Sequence, residues 1–204
     1  MPAIELDTPH GPARAHVQAA EHPKAALILG HGAGGGVESR DLVAAEDAAL
    51  AAGVSVALVE QPYRVAGRRS PAPARQLDAA WSAVVEQLAA TELHGLRLVV
   101  GGRSLGARVA CRTVGGTGAA GVLCLAFPLQ PPQRSGKPPS PDRLHELDAV
   151  EVPTLVVQGQ SDQFGIPPDG PNRTVVLVPG NHSLRTDLHA VATAVHDWLS
   201  GVVS

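Results

Sequence analysis

Residues 97–110 read Arg97-Leu-Val-Val-Gly-Gly-Arg-Ser104-Leu-Gly-Ala-Arg-Val-Ala110. The stretch begins as an apolar run of the kind a buried strand uses and ends as the start of a helix. Between the two lies Gly102-Arg103-Ser104-Leu105-Gly106, a G-x-S-x-G sequence. That spacing suits a sharp strand-to-helix turn that holds a serine in a strained conformation with its hydroxyl presented outward. Glycines on either side remove Cβ atoms that would collide where strand and helix meet. The first free N–H groups of the helix, at its positive end, face the place where an oxyanion would form. A tight strand–helix turn that merely contains serine would look the same over five residues, so the flanking chain has to decide.

Working outward, apolar runs at Ala25–Gly30, Val54–Val59 and Val122–Phe127 read as buried core strands, and Thr154–Gln158 and Thr174–Val178 as two further strands. Helical spacing covers residues 39–52, 74–92 (Leu77, Trp81, Val84, Val85 and Leu88 on one face) and 184–202. Residues 3–7 and 13–20, with Pro9, Gly11 and Pro12 between them, suggest an N-terminal hairpin. Strands alternating with helices call for a mostly parallel twisted sheet with helices on both faces. Residues 128–143 hold six prolines and cannot be regular throughout.

Composition narrows the class. At 204 residues, 44% apolar and 17% charged, the chain reads as one domain, residues 1–204, with a sizeable core. A net charge of −3 without a Lys/Arg block argues against a nucleic-acid partner. No apolar run approaches a membrane span, and the N-terminus lacks the layout of a signal peptide. Cys111 and Cys124, both in apolar segments, read as buried thiols, which makes the cytoplasm the expected location. A monomer or homodimer is expected, and no cofactor or metal is called for.

In such a sheet, reacting groups gather beyond the carboxyl ends of the strands. Four strand exits carry suitable chemistry: the loop His31-Gly32-Ala33-Gly34-Gly35-Gly36, Ser104, the loop Gln158-Gly-Gln-Ser-Asp162-Gln-Phe164-Gly, and Pro179-Gly-Asn-His182-Ser. Nucleophile, acid and base thus follow the chain order Ser, Asp, His found in α/β-hydrolases. A serine hydroxyl attacks well only if an imidazole takes its proton, and a carboxylate fixes that imidazole's tautomer. Ser104 is expected as nucleophile, His182 as base and Asp162 as the orienting group. Asp169 is the rival carboxylate, whereas His189 and His196 lie within the last helix.

Leu105 and Ala33 are the expected oxyanion donors, with Gly32 or Gly34 as substitutes for Ala33. His31, Gly32, Tyr63, Arg64, Phe127 and Phe164 are expected to line the substrate site. Leu129 helps shape it, and the 130–143 loop partly overhangs it. Arg103 reads as a salt-bridging residue behind the site, and Arg64 as a possible attractor of anionic substrates. A competing reading takes Gly30-His-Gly-Ala-Gly-Gly35, with Glu60 at the next strand's end, as a dinucleotide-binding fingerprint. That reading leaves the other three loops without a purpose.

Taken together, His31-Gly-Ala-Gly, Gly101-Gly-Arg-Ser-Leu-Gly106, Phe127-Pro-Leu, Gly136-Lys-Pro, Val152-Pro-Thr-Leu-Val-Val-Gln-Gly-Gln-Ser-Asp162-Gln-Phe-Gly and Gly180-Asn-His-Ser183 resemble small α/β-hydrolases of the dienelactone-hydrolase-like superfamily. More narrowly, they are similar to the compact family of the testis-expressed hydrolase-like protein and a regulatory subunit of the NSL chromatin complex. The resemblance implies an α/β-hydrolase fold, action on a small ester-like substrate and the same three catalytic positions. Dienelactone hydrolases use a cysteine nucleophile, so their substrate does not transfer to Ser104. The family also implies a third reading, a catalytically silent hydrolase fold acting in protein interaction. Only about 25 residues separate Pro128 from Val152, too few for a helical cap domain, so a site without a large lid is expected.

Overall fold

The computed structural model describes residues 3–131 and 140–203. The strands are β1 (Ile4–Leu6), β2 (Ala13–Gln18), β3 (Ala25–Gly30), β4 (Val54–Glu60), β5 (Arg97–Arg103), β6 (Val122–Leu125), β7 (Thr154–Gly159) and β8 (Arg173–Val178). They form one eight-stranded sheet in the order β1-β2-β4-β3-β5-β6-β7-β8. The six strands from β3 onward run parallel, and the hairpin β1–β2 joins antiparallel through β2 against β4. The helices are α1 (Arg40–Ala51), α2 (Pro62–Val65), α3 (Ala74–Ala90), α4 (Leu105–Thr113), α5 (Leu144–Asp148) and α6 (Leu188–Val202).

Alternation along each strand divides the core in two. Ala26 and Ile28 of β3 point to a cluster with Trp81, Val84, Val109 and Phe127, under α3 and α4. Ala25, Leu27 and Leu29 point to the opposite cluster with Leu42, Val191, Val195 and Leu199, under α1 and α6. Because both faces are covered, β3 to β7 read as continuous apolar runs rather than alternating ones, while the edge strand β8 is part-exposed. The fold is the α/β-hydrolase fold.

The chain goes from β3 to β4 on one side and then crosses back to β5 on the other. The reversal opens a crevice at the carboxyl ends of β3 and β5, where the His31 loop and Ser104 leave the sheet. Close approach at this point is made possible by glycine. A Cβ on Gly106 would lie 2.2 Å from the Gly30 carbonyl oxygen, and one on Gly102 2.4 Å from the same atom. Strand β3, strand β5 and helix α4 therefore meet backbone to backbone.

Several boundaries differ from the sequence reading. The β6 strand ends at Leu125 because Ala126 turns into a left-handed conformation, φ 50°. The last helix begins at Leu188, where the Asp187 side chain accepts the Ala190 N–H at 2.9 Å. The short α2 and α5 were not expected, since one turn is too brief to show a 3.6-residue period. Arg108 reaches Glu146 with two bonds of 2.8 and 2.6 Å, and Arg112 pairs with Asp78, which pins α4 to α5 and α3. Cys111 and Cys124 are free and buried, with sulfurs 3.5 Å apart. Residues 132–139, including the Gly136-Lys-Pro motif and most of the expected overhanging loop, lie outside the described residues.

Candidate active site

Ser104 caps α4 with φ 52° and ψ −101°. A non-glycine residue held there costs about 1–3 kcal/mol, which the surrounding packing must supply. Its N–H donates to the Leu125 carbonyl at 2.8 Å, so the strained turn is tied to the neighbouring strand. His182, from the loop between β8 and α6, brings Nε2 to 3.0 Å from Ser104 Oγ. Its Nδ1 lies 2.8 Å from Asp162 Oδ2. Because the carboxylate accepts, Nδ1 carries the proton and Nε2 is left free to accept the serine O–H.

Asp162 follows β7 and its side chain is fully buried. Three donors hold it. Gln158 Nε2 reaches Oδ2 at 2.8 Å, the Phe164 N–H reaches Oδ1 at 2.9 Å, and His182 supplies the third. Gln158 is the next-to-last residue of β7, and its two N–H groups are shared among Asp162 and the Phe127 and Gly165 carbonyls, at 3.1 and 2.9 Å from Nε2. The Phe164 ring stands edge-on to the His182 ring, centroids 4.5 Å apart. Gln158 and Phe164 thus support the imidazole, Phe164 having been expected to line the substrate site and Gln158 having had no assigned role. Gln158 stood in a quoted motif, but a glutamine at a strand end carries no signal of its partner. Asp169 accepts the Val175 N–H at 2.7 Å and takes no part.

The loop after β3 is held from behind. His31 is buried, its Nδ1–H donating to the Gly32 carbonyl at 2.8 Å and its Nε2 accepting the Gln61 N–H at 3.2 Å. Burial, aided by the nearby Arg64 charge, lowers its pKa, so the ring stays neutral despite the bond to Gly32. The Tyr63 hydroxyl donates to the Ala33 carbonyl at 3.3 Å, and burial pushes its pKa up to about 12. In a trans peptide, carbonyl and N–H point to opposite sides. With the Gly32 carbonyl turned inward to His31, the Ala33 N–H faces away from that ring. Among the described residues, neither the Ala33 nor the Leu105 N–H has a protein acceptor.

Part of the expected lining is buried. His31 and Tyr63 support the loop, and Tyr63 also borders a cavity with Gln61, Arg68 and Leu77. Phe127 is fully buried in the core, and Leu129 is buried as well. Gly32 is buried against Arg103, whose Nη1 would stand 2.7 Å from a Cβ there. Phe164 and Arg64 remain half-exposed. Arg64 has no ion-pair partner among the described residues, and Glu60, the acid of the dinucleotide reading, is engaged by His16 at 2.8 Å. No helix among the described residues is long and apolar enough to cross a membrane.

Residues 23–200 match the family described as the alpha/beta hydrolase domain, and the chain belongs to that family. Among curated proteins, none matches it in sequence. Its fold is similar to that of an α/β serine hydrolase without a lid from Xanthomonas campestris, at 21% identity over 97% of this chain and 94% of that one, TM-score 0.75. Est1E from Butyrivibrio proteoclasticus is similar at 17% identity over 98% of each chain, TM-score 0.79. A dienelactone hydrolase from Anabaena variabilis is similar at 14% identity over 98% and 95%, TM-score 0.74. At these identities the likeness is one of fold.

Proposed function

We propose that the protein is a carboxylesterase-like serine hydrolase that cleaves a small ester-like substrate through an acyl-enzyme. In this reading Ser104 is the nucleophile, His182 the base and then the acid, and Asp162 the orienting carboxylate. The observation that carries it is the unbroken line from Asp162 through His182 to Ser104, with contacts of 2.8 and 3.0 Å. Ser104 Oγ bonds to the substrate carbonyl carbon as its proton passes to His182 Nε2 and the carbonyl electron pair moves onto oxygen. The Ala33 and Leu105 N–H groups receive that oxyanion, each worth about 3 kcal/mol at the transition state. When the tetrahedral species collapses, the leaving alcohol takes the proton from Nε2. Water then repeats the sequence on the acyl-enzyme and frees Ser104.

Arg64, cationic and unpaired among the described residues, favours substrates bearing an anionic group. An Arg64→Ala variant should raise KM for carboxylate-bearing esters; an unchanged KM removes that role. The short chain between β6 and β7 favours accessible substrates over long acyl chains. The narrower kinship with the testis-expressed and NSL-subunit family rests on the quoted motifs, and cytoplasmic residence on two buried free thiols.

A fluorophosphonate probe read by intact mass tests the proposal. Wild type should gain one adduct, and Ser104→Ala and His182→Ala none. Labelling that survives Ser104→Ala ends the assignment, and an unlabelled wild type favours the silent-scaffold reading. A thermal shift with NAD would instead favour the dinucleotide site.

A further inference from the structure

Arg103, the residue immediately before Ser104, is a side chain of the elbow that reaches both the β3 loop and the β8–α6 loop. Its Nε donates to Asp41 Oδ2 at 2.9 Å, and its Nη2 donates to the His182 carbonyl at 3.1 Å. Its Nη1 fills the space beside Gly32, where a Cβ would come within 2.7 Å. One guanidinium therefore ties the β3 loop, the start of α1 and the β8–α6 loop to the residue that precedes the nucleophile. Asp41 is almost fully buried and Arg103 is 18% exposed at the side chain. The other Asp41 oxygen accepts the Leu42 N–H at 3.1 Å, so the carboxylate is held in place from both sides.

We infer that Arg103 is a positioning residue that sets His182 over Ser104, with the buried Asp41 carboxylate holding its guanidinium in place. The inference rests on the triad reading above. Ser104 and the clamp on the His182 backbone sit on adjacent residues, so nucleophile and base keep one spacing even if the loops shift. A planar guanidinium can serve two acceptors and still pack flat against a glycine, which a lysine ammonium cannot do equally well.

Three variants test this: Arg103→Lys, Arg103→Met and Asp41→Asn. Fluorophosphonate labelling should fall about 100-fold in Arg103→Met, the size of effect expected from a misplacement near 1 Å, and recover in part in Arg103→Lys. The His182 ring resonances, followed by NMR in unlabelled protein, supply a readout independent of activity: they should broaden or double in Arg103→Met, whose β8–α6 loop has lost its anchor, and be partly restored in Arg103→Lys. Wild-type labelling or single sharp ring signals in Arg103→Met overturn the clamp. Should Arg103→Met not fold, Asp41→Asn, which keeps shape and volume, decides: labelling should fall about 10-fold as the guanidinium loses its carboxylate, and an unchanged rate overturns the clamp. A wild type that does not label at all, with the ring signals of Arg103→Met doubled, tells against the hydrolase reading and leaves the clamp standing.

Discussion

Two glycine-bearing regions meet at the same rim, and their glycines do opposite things. At the elbow, Gly102 and Gly106 press on the Gly30 carbonyl, and Gly101 would bring a Cβ within 2.2 Å of the Leu123 carbonyl oxygen. Across the crevice, Gly34, Gly35 and Gly36 would each meet nothing within 4 Å. The first group exists because three backbones must touch. The second is free of packing demands, and the loop that contains it is held instead by hydrogen bonds from His31, Gln61 and Tyr63 to residues 31–33. A glycine motif therefore signals either contact or access, and only its surroundings distinguish the two.

The largest test of this contrast is Gly106→Ala. Its methyl has only backbone to push against, so a loss above about 4 kcal/mol, or no folded protein, is expected in chemical denaturation. A melting temperature within a few degrees of wild type would break the comparison. Gln158→Leu comes next. It takes from Asp162 the donor at 2.8 Å while leaving His182 as partner, and should slow labelling of Ser104 roughly 10- to 100-fold. Wild-type labelling rates would show that the Phe164 N–H and His182 suffice.

A smaller effect sharpens the account of the hydrogen-bonded loop. Because burial lowers the His31 pKa, the unfolded chain binds a proton there more readily than the folded protein. Stability from this site is complete above the ordinary histidine value of about 6.5 and is lost as pH falls below it. Urea unfolding should show that decline, and His31→Gln should flatten it; equal slopes in the two proteins would contradict the buried neutral ring. The smallest effect belongs to Gly34→Ala. With open space around it, the change should alter stability by less than about 1 kcal/mol, in the stabilising direction through a more restricted unfolded chain. A loss larger than that would mean the loop is packed after all.

Much of the candidate site could be read because its residues sit at strand ends. Strand runs such as Leu27-Ile-Leu29 and Leu98-Val-Val100 announce double-sided burial, and the residue just past each run falls at the rim by topology alone. That is why Ser104, Asp162 and His182 could be named from local pattern. The expected lining residues are less accessible. His31, Tyr63 and Phe127, expected at the substrate site, are all buried, Phe127 fully so in the core. An aromatic ring gains more from burial than from exposure at a rim, and nothing in the order of residues says which way a loop side chain points.

Alone, the order of residues determined the alternation of strand and helix, the serine turn and the succession Ser, Asp, His, because these depend on periodicity and on neighbours a few positions apart. Only the tertiary structure decided that the hairpin extends the sheet through β4, that Arg103 grips a carbonyl 79 positions away, and that Gln158 and Phe164 flank the acid and base. Those choices are made between side chains distant in the chain, where many partners are chemically equivalent and packing selects one.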